Sequence, residues 1–293
     1  MVSTRFAVVA LAGRPNVGKS TLLNHIVGEK LAITSPKPQS TRYVVRGIYT
    51  NEGTQLVFVD PPGLFDPSNL LQDSMVEAAK STFEQADLVL YLHPANEGPP
   101  VYPVELARWV DSKTECLATV LTKADLLSED GRRQVPAAAF LISALTGEGV
   151  PRLLEWCRAM APARPMVYDP DDLSTQNLRF FVTELVRESA FELLEQELPY
   201  ATAAVVDEFR EGTSPVYIRI ILYVERVSQK GMLIGKNGDT IKALGQLARS
   251  KIETLIGEQV YLDLWVKVLS RWRARPAALR TLGLCVTNKP EGK

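Results

Sequence analysis

The chain has 293 residues, 46% hydrophobic and 23% charged, enough for two domains that fold without disulfides or metals as staples. That composition excludes collagen-like, low-complexity and disulfide-rich classes, and no run of about 18 apolar residues offers a membrane span. The formal net charge of −1 conceals an asymmetry: residues 217–280 hold twelve Lys/Arg against five Asp/Glu, the remainder twenty-one against twenty-nine.

A basic segment of that kind suits an anionic partner, although lysines that merely solubilise a small domain would look the same. Three well-separated cysteines, Cys116, Cys157 and Cys285, are read as reduced thiols of a cytosolic protein; neither their spacing nor a histidine supports zinc.

In chain order, "RFAVVALA" (5–12) reads as a buried strand and not as a signal peptide. "GRPNVGKST" (13–21) follows it and opens a helix over 18–28, in the spacing G-x-x-x-x-G-K-S of a phosphate loop. Its residues Gly13, Arg14, Pro15, Asn16, Val17, Gly18, Lys19, Ser20 and Thr21 are therefore candidate nucleotide contacts. Glycines at 13 and 18 let backbone N–H groups close around phosphate oxygens, and the helix N-terminus adds its dipole. Lys19 is placed for the β/γ-phosphates and the Ser20 hydroxyl for Mg²⁺.

A strand over 56–60 ends in "DPPG", with a helix over 70–85 beyond it. Asp60 then stands at the carboxyl end of a parallel strand, where such sheets present ligands, and can hold Mg²⁺ through water. Gly63 can offer its N–H to a γ-phosphate. Strands over 87–92, 116–121 and 139–142 alternate with helices over 99–112 and 150–160. The apolar runs "LVFVD", "ADLVLYL", "CLATVLT" and "AAFLIS" predict a largely parallel sheet covered on both faces, an α/β fold of P-loop type.

"TKAD" (122–125) and "SAL" (143–145) select the base. The Asp125 carboxylate can accept from both N1–H and the 2-amino group of guanine, a pattern adenine lacks. Lys123 would cover the ring with its aliphatic stem, and the Ala144 backbone, between Ser143 and Leu145, could bind O6. His25 and His93 pair with no nucleophile or metal spacing and receive no role.

"APARPMVYDPDDLST" (161–175) has the composition of a linker. The boundaries drawn are a nucleotide-binding domain over 1–165, a linker over 166–176 and a second domain over 177–293. In the latter, a helix over 177–198, strands over 202–209 and 215–225, a helix over 239–256 and a strand over 260–270 give the order α-β-β-α-β. "IGKNG" (234–238) fits a G-x-x-G turn before a helix, where close backbone approach and a helix N-terminus suit a single RNA strand. Lys236 would contact the backbone, with Lys230, Lys242, Arg249 and Lys251 as electrostatic candidates. Gly235, Asn237 and Gly238 complete the turn, and Ile234 would form the groove floor or join the core. Trp265 is expected to pack in the core; Trp272, beside arginines, is left open between packing and base stacking.

These motifs together, with "ITSPKPQSTR", "SALTGEGV", "ELPY" and "VERVSQKGMLIGKNGDTIKALGQLARSKIETLIGEQVYLDLWVKV", resemble the Era family of bacterial ribosome-assembly GTPases over nearly the whole chain. The resemblance implies a GTPase domain followed by a type II KH domain. It implies slow GTP hydrolysis with GTP/GDP and Mg²⁺, and binding to the 3′ end of 16S rRNA and the 30S subunit in its maturation. It also implies a cytoplasmic monomer with some peripheral contact to the inner membrane.

By the same resemblance Thr41 would complete the Mg²⁺ shell, and Asn16 would help hold a K⁺ ion. Leu64 stands where other GTPases carry a water-orienting glutamine. Two residues depart from the family pattern: Pro61 replaces threonine, and Thr122 replaces the asparagine that ties the base loop to the phosphate loop. Weaker GTP affinity with guanine selectivity retained is the expectation. The alternative is an RNA-binding protein whose GTPase domain has decayed.

Overall fold

A computed structural model describes residues 4–100 and 116–284. The chain falls into two compact units. The first holds the described residues up to Ala32, Thr41–Asp66 and those of Met75–Thr175. The second holds Ile33–Ser40, Pro67–Ser74 and the described residues from Gln176 onward.

In the first unit six strands run in the order β2-β3-β1-β4-β5-β6. They are β1 (Arg5–Ala12), β2 (Val45–Asn51), β3 (Thr54–Asp60), β4 (Leu88–Pro94), β5 (Leu117–Thr122) and β6 (Phe140–Leu141). β2 is antiparallel to β3 and every other pairing is parallel. The parallel strands are apolar runs because helices cover them: all seven residues of β3 and of β4 are buried. Helices α1 (Lys19–Val27), α2 (Leu70–Gln85), α3 (Glu129–Arg133) and α4 (Val150–Met160) supply the connections.

β2 has no counterpart among the sequence expectations. Its seven residues VRGIYTN mix polar and apolar types because it is an edge strand, and Gly47 is required where Leu23 and Val27 of α1 lie against it. The helix expected over 99–112 lies outside the described residues. The linker-like stretch packs as an ordered strap: Ile48 N–H donates to Leu173 O (2.9 Å), and Gln55 Oε1 accepts from the backbone of Val167 and Tyr168 (both 3.0 Å).

The second unit has a three-stranded sheet, β7 (Ala203–Arg210), β8 (Val216–Val224) and β9 (Val260–Val268), in that order. β7 and β8 are antiparallel; β8 and β9 are parallel and joined by a two-helix crossover, α7 (Val227–Ile234) and α8 (Asp239–Ile256). With α5 (Leu178–Leu193) and the short α6 (Leu198–Ala201), the order is α-α-β-β-α-α-β, so the sequence reading lacked α6 and α7. The inward residues Ile218, Ile220, Leu222, Leu233, Leu244, Ala248 and Ile252 form one core with Val182 and Val186 of α5. A final helix, α9 (Pro276–Thr281), follows.

Ile33–Ser40, without regular structure, is fastened inside this unit. Thr34 N–H donates to Glu188 Oε1 (3.2 Å), and the Lys37 ammonium caps the end of α5 at Phe191 O (2.5 Å) and Leu194 O (2.6 Å). Arg187, 2% exposed, donates to Ser40 O (2.8 Å) and pairs with buried Glu184 (2.5 Å).

Candidate functional site

The phosphate loop sits at the carboxyl end of β1, between β3 and β4, where the strand order reverses. Gly13 has no alternative there, since a Cβ would lie 2.6 Å from Leu92 O. Gly18, at φ 100°, is the N-cap of α1. Arg14 and Asn16 are exposed, Pro15 and Thr21 half-buried, and Val17 buried.

Lys19 is 6% exposed and donates to Gly13 O (3.3 Å) and Arg14 O (3.2 Å). Burial lowers its pKa, opposed by the charge of Asp60. Asp60 is fully buried; burial raises its pKa, opposed by Lys19 and by the Ser20 hydroxyl. A buried cation beside a buried carboxylate, each pushed toward neutrality, is a site that an anion and a cation arriving together would complete.

Three oxygen ligands expected around Mg²⁺ come together here from three separate segments. Ser20 Oγ donates to Asp60 Oδ2 (2.5 Å) and lies 3.2 Å from Thr41 Oγ1. Asp60 Oδ1 is buried and has no hydrogen-bond partner. Hard oxygen donors with one unsatisfied carboxylate oxygen fit a Mg²⁺ that keeps part of its water shell.

The turn after Asp60 closes onto the phosphate loop. Leu64 N–H donates to Gly13 O (3.0 Å), and a Cβ on Gly63 would lie 2.7 Å from the Pro15 nitrogen. Only glycine allows that approach, a constraint the sequence did not reveal. Asp60 is the last residue paired to β2, so the N–H that Pro61 lacks is missing from no ladder. The Leu64 side chain packs against the cluster of Ala10, Ala12, Ala79, Phe83 and Tyr91. It is partly buried there.

The base loops meet at the ends of β5 and β6. Ala124 N–H donates to Ile142 O (3.0 Å), while Ser143 Oγ donates to Asp125 Oδ1 (2.6 Å) and fixes that carboxylate. Lys123 takes a left-handed conformation at φ 59°, Ala144 is half-buried and Leu145 is exposed. Thr122, 2% exposed, donates its hydroxyl to Val17 O (2.7 Å). The shorter side chain thus makes a direct tie between base loop and phosphate loop.

In the second unit, α7 ends at Gly235 and α8 begins after Gly238, with Lys236 and Asn237 exposed between them. A Cβ on Gly235 would lie 2.2 Å from Thr240 Oγ1, and Asn237 (φ 55°) and Gly238 (φ 83°) are left-handed. The G-x-x-G spacing therefore builds a sharp turn whose backbone faces solvent at the N-terminus of an 18-residue helix. Lys242 and Arg249 are exposed on α8, Arg249 3.9 Å from Glu253; Lys230 and Ile234 are half-buried on α7. Lys251 is engaged by Glu188 (2.9 Å) and Glu192 (2.5 Å), which removes it from the exposed cations.

The expectation for Trp265 needs correction, and the open choice for Trp272 falls to packing. Trp265, expected in the core, is 51% exposed because it lies on the outer side of edge strand β9. Trp272 is fully buried, its indole N–H donating to Ala201 O (2.9 Å). The alternation of "VYLDLWVKV" carried the signal for Trp265: its neighbours Leu264 and Val266 face the core, so it cannot.

Residues 8–123 match the family model described as a 50S ribosome-binding GTPase, and residues 197–273 match the KH domain. The protein named GTPase Era from Thermotoga maritima is 42% identical over 97% of this chain and 98% of its own length. That from Carboxydothermus hydrogenoformans is 40% identical over 96% and 98%. Two solved structures superpose with 33% identity, each over 96% of this chain and 99% of the other. They are Aquifex aeolicus Era bound to GDP·AlF4⁻ (TM-score 0.89) and Era with MgGDPNP and nucleotides 1506–1542 of 16S ribosomal RNA (TM-score 0.88).

Proposed function

The chain belongs to the Era family of GTPases, and from that premise we propose that it is a GTP-operated switch on the 3′ end of 16S rRNA, acting in maturation of the 30S subunit. The observation that carries the switch is the convergence of Ser20, Thr41 and Asp60 beside buried Lys19. Thr41 and Asp60 come from different segments, so a γ-phosphate and its Mg²⁺ would order both at once.

Placement supports a role for each residue. The backbone of Gly13–Thr21 cradles the phosphates and Lys19 carries the compensating charge. Ser20 and Thr41 directly, and Asp60 through water, would hold Mg²⁺, whose positive charge would neutralise charge developing on the phosphates. Gly63 N–H senses the γ-phosphate. Asp125, oriented by Ser143, reads guanine, with Lys123 over the ring and Ala144 and Leu145 lining its edge. Asn16 stands at the mouth of the loop, where a K⁺ ion would add transition-state charge. With an apolar, partly buried Leu64 at this position, water is positioned by backbone, cation or partner, and intrinsic turnover is slow.

Gly235, Lys236, Asn237 and Gly238 receive a single strand of RNA, with Ile234 as groove floor and Lys230, Lys242 and Arg249 as flanking charge. The protein acts as a monomer in the cytoplasm. Contact with the inner membrane would be peripheral, since no helix among the described residues is long and apolar enough to cross one.

GTP hydrolysis measured with and without K⁺, and with and without an oligonucleotide of the rRNA 3′ end, tests this reading. Turnover that rises with either addition supports it. No turnover under any condition would leave only the RNA-binding alternative.

A further inference from the structure

Helices α5, α7 and α8 of the second unit share a core with one face of its sheet. The opposite face carries an ordered aromatic and cationic array that the G-x-x-G turn does not use. Strand register aligns it in rows: Arg210, Tyr217 and Tyr261; then Glu208, Arg219 and Asp263; then Val205, Ile221 and Trp265; then Ala203, Tyr223 and Lys267. Tyr217 and Tyr261 stack with ring centroids 5.8 Å apart and planes 13° from parallel. The Arg219 guanidinium lies 5.6 Å from the Tyr217 ring and 5.4 Å from Trp265, joining the aromatics into one strip.

Asp263 locks the strip from within. It accepts from Tyr217 OH (2.9 Å), Arg219 Nε (3.1 Å) and Trp265 Nε1 (3.0 Å). Even so, Tyr261 stays 59% and Trp265 51% exposed. Two large rings about 13 Å apart along one strand each have one face engaged, by Tyr217 and by Arg219, and keep the rest open to solvent.

We propose that this outer face of the sheet is a second RNA surface, on which unpaired bases of a strand leaving the G-x-x-G cleft stack against Tyr261 and Trp265. Three observations favour RNA over a protein partner. Residues 217–280, which supply β8, β9 and the cleft helices but not β7, carry seven more positive than negative charges. That excess draws a polyanion to the unit as a whole, although charges on the face itself nearly balance. The carboxylates on the face are each held by arginine: Asp263 and Glu208 by Arg219, and Glu208 also by Arg210. β9 is an edge strand whose inner side, Leu262, Leu264 and Val266, joins the core under α8, so its edge borders the helix that starts at Gly238 and a strand in the cleft reaches the outer face by rounding one β-strand. Base–aromatic stacking tolerates any sequence, because every base has a π-face.

The inference rests on the reading of Gly235–Gly238 as an RNA cleft, and the test separates the two. Affinities of the full chain are measured for an unstructured 5-nucleotide RNA, which fills only the cleft, and for a 14-nucleotide RNA. Tyr261→Ala combined with Trp265→Ala should weaken the 14-mer about 10- to 100-fold and leave the 5-mer unchanged. Trp265→Phe, which keeps a stacking ring, should stay near wild type. Circular dichroism and Tm establish that each variant is folded. Unchanged 14-mer affinity in the folded double variant would overturn the proposal and leave the face to a protein partner or to sheet stability. Failure of both oligonucleotides to bind the wild-type chain would overturn the cleft reading and this proposal with it.

Discussion

Thr122→Val removes one hydroxyl at nearly constant shape and tests whether the base loop and phosphate loop act as one piece. In the native protein that hydroxyl donates to Val17 O at 2.7 Å from a position 2% exposed. Valine leaves a buried carbonyl without a partner, which costs about 1–3 kcal/mol. Because the carbonyl belongs to the phosphate loop, the loss should fall on nucleotide binding, as a roughly 5- to 150-fold weaker Kd for both GDP and GTP. The ratio of GTP to ATP affinity should not move, since the proposed reader of the base is Asp125 and its bond from Ser143 is untouched. Thr122→Ser, which restores the donor, should recover most of the affinity. Calorimetric titration of the three proteins with GDP, GTP and ATP gives all of these values. Wild-type affinity in a folded Thr122→Val, or a loss that serine does not repair, would refute the tie as the reason threonine serves here.

Other expectations follow from the same geometry. Asp125→Asn turns a double acceptor into a partial donor and should weaken GTP at least about 100-fold while leaving Tm near wild type, read by nucleotide titration and melting. Burial raises the Asp60 pKa, so affinity for Mg²⁺-GTP should fall with decreasing pH, starting above the usual carboxylate range. The metal-free protein should behave oppositely: the Asp60 contribution to stability is full below the unfolded carboxyl pKa and lost as pH rises through the raised one, as paired melts of wild type and Asp60→Asn would reveal. Arg187→Met strands the buried Glu184 carboxylate and frees Ser40 O, and should cost about 3–5 kcal/mol in urea unfolding of the second unit.

Local sequence carried the parts of this molecule that depend on local chemistry. The phosphate loop, the strand ends at Asp60 and Thr122, and the G-x-x-G turn are each a short stretch whose glycines and polar residues have one conformational use. Tertiary surroundings decided the rest. β2 escaped notice because an edge strand needs no apolar run, and its Gly47 answers to side chains of α1. α7 escaped because "VSQKGMLI" contains Gly231 and runs straight into the turn, so its helical period is only two turns long. Tertiary placement also decided the two tryptophans. Trp265 is apolar but lies on the outer side of edge strand β9, whereas Trp272 opens a 3-10 turn and is buried with its indole N–H on the carbonyl of Ala201, far off in sequence. That Thr122 reaches the phosphate loop also depends on tertiary placement, which sets its hydroxyl 2.7 Å from Val17 O.

As proposed, the oxygens of Ser20, Thr41 and Asp60 make RNA binding depend on the nucleotide. The affinity of the full chain for an rRNA 3′-end oligonucleotide is measured in GDP and in a non-hydrolysable GTP analogue with Mg²⁺. Binding should be tighter with the analogue, and the difference should vanish in Thr41→Val. Equal affinities in the two nucleotides, with both nucleotides bound, would contradict it.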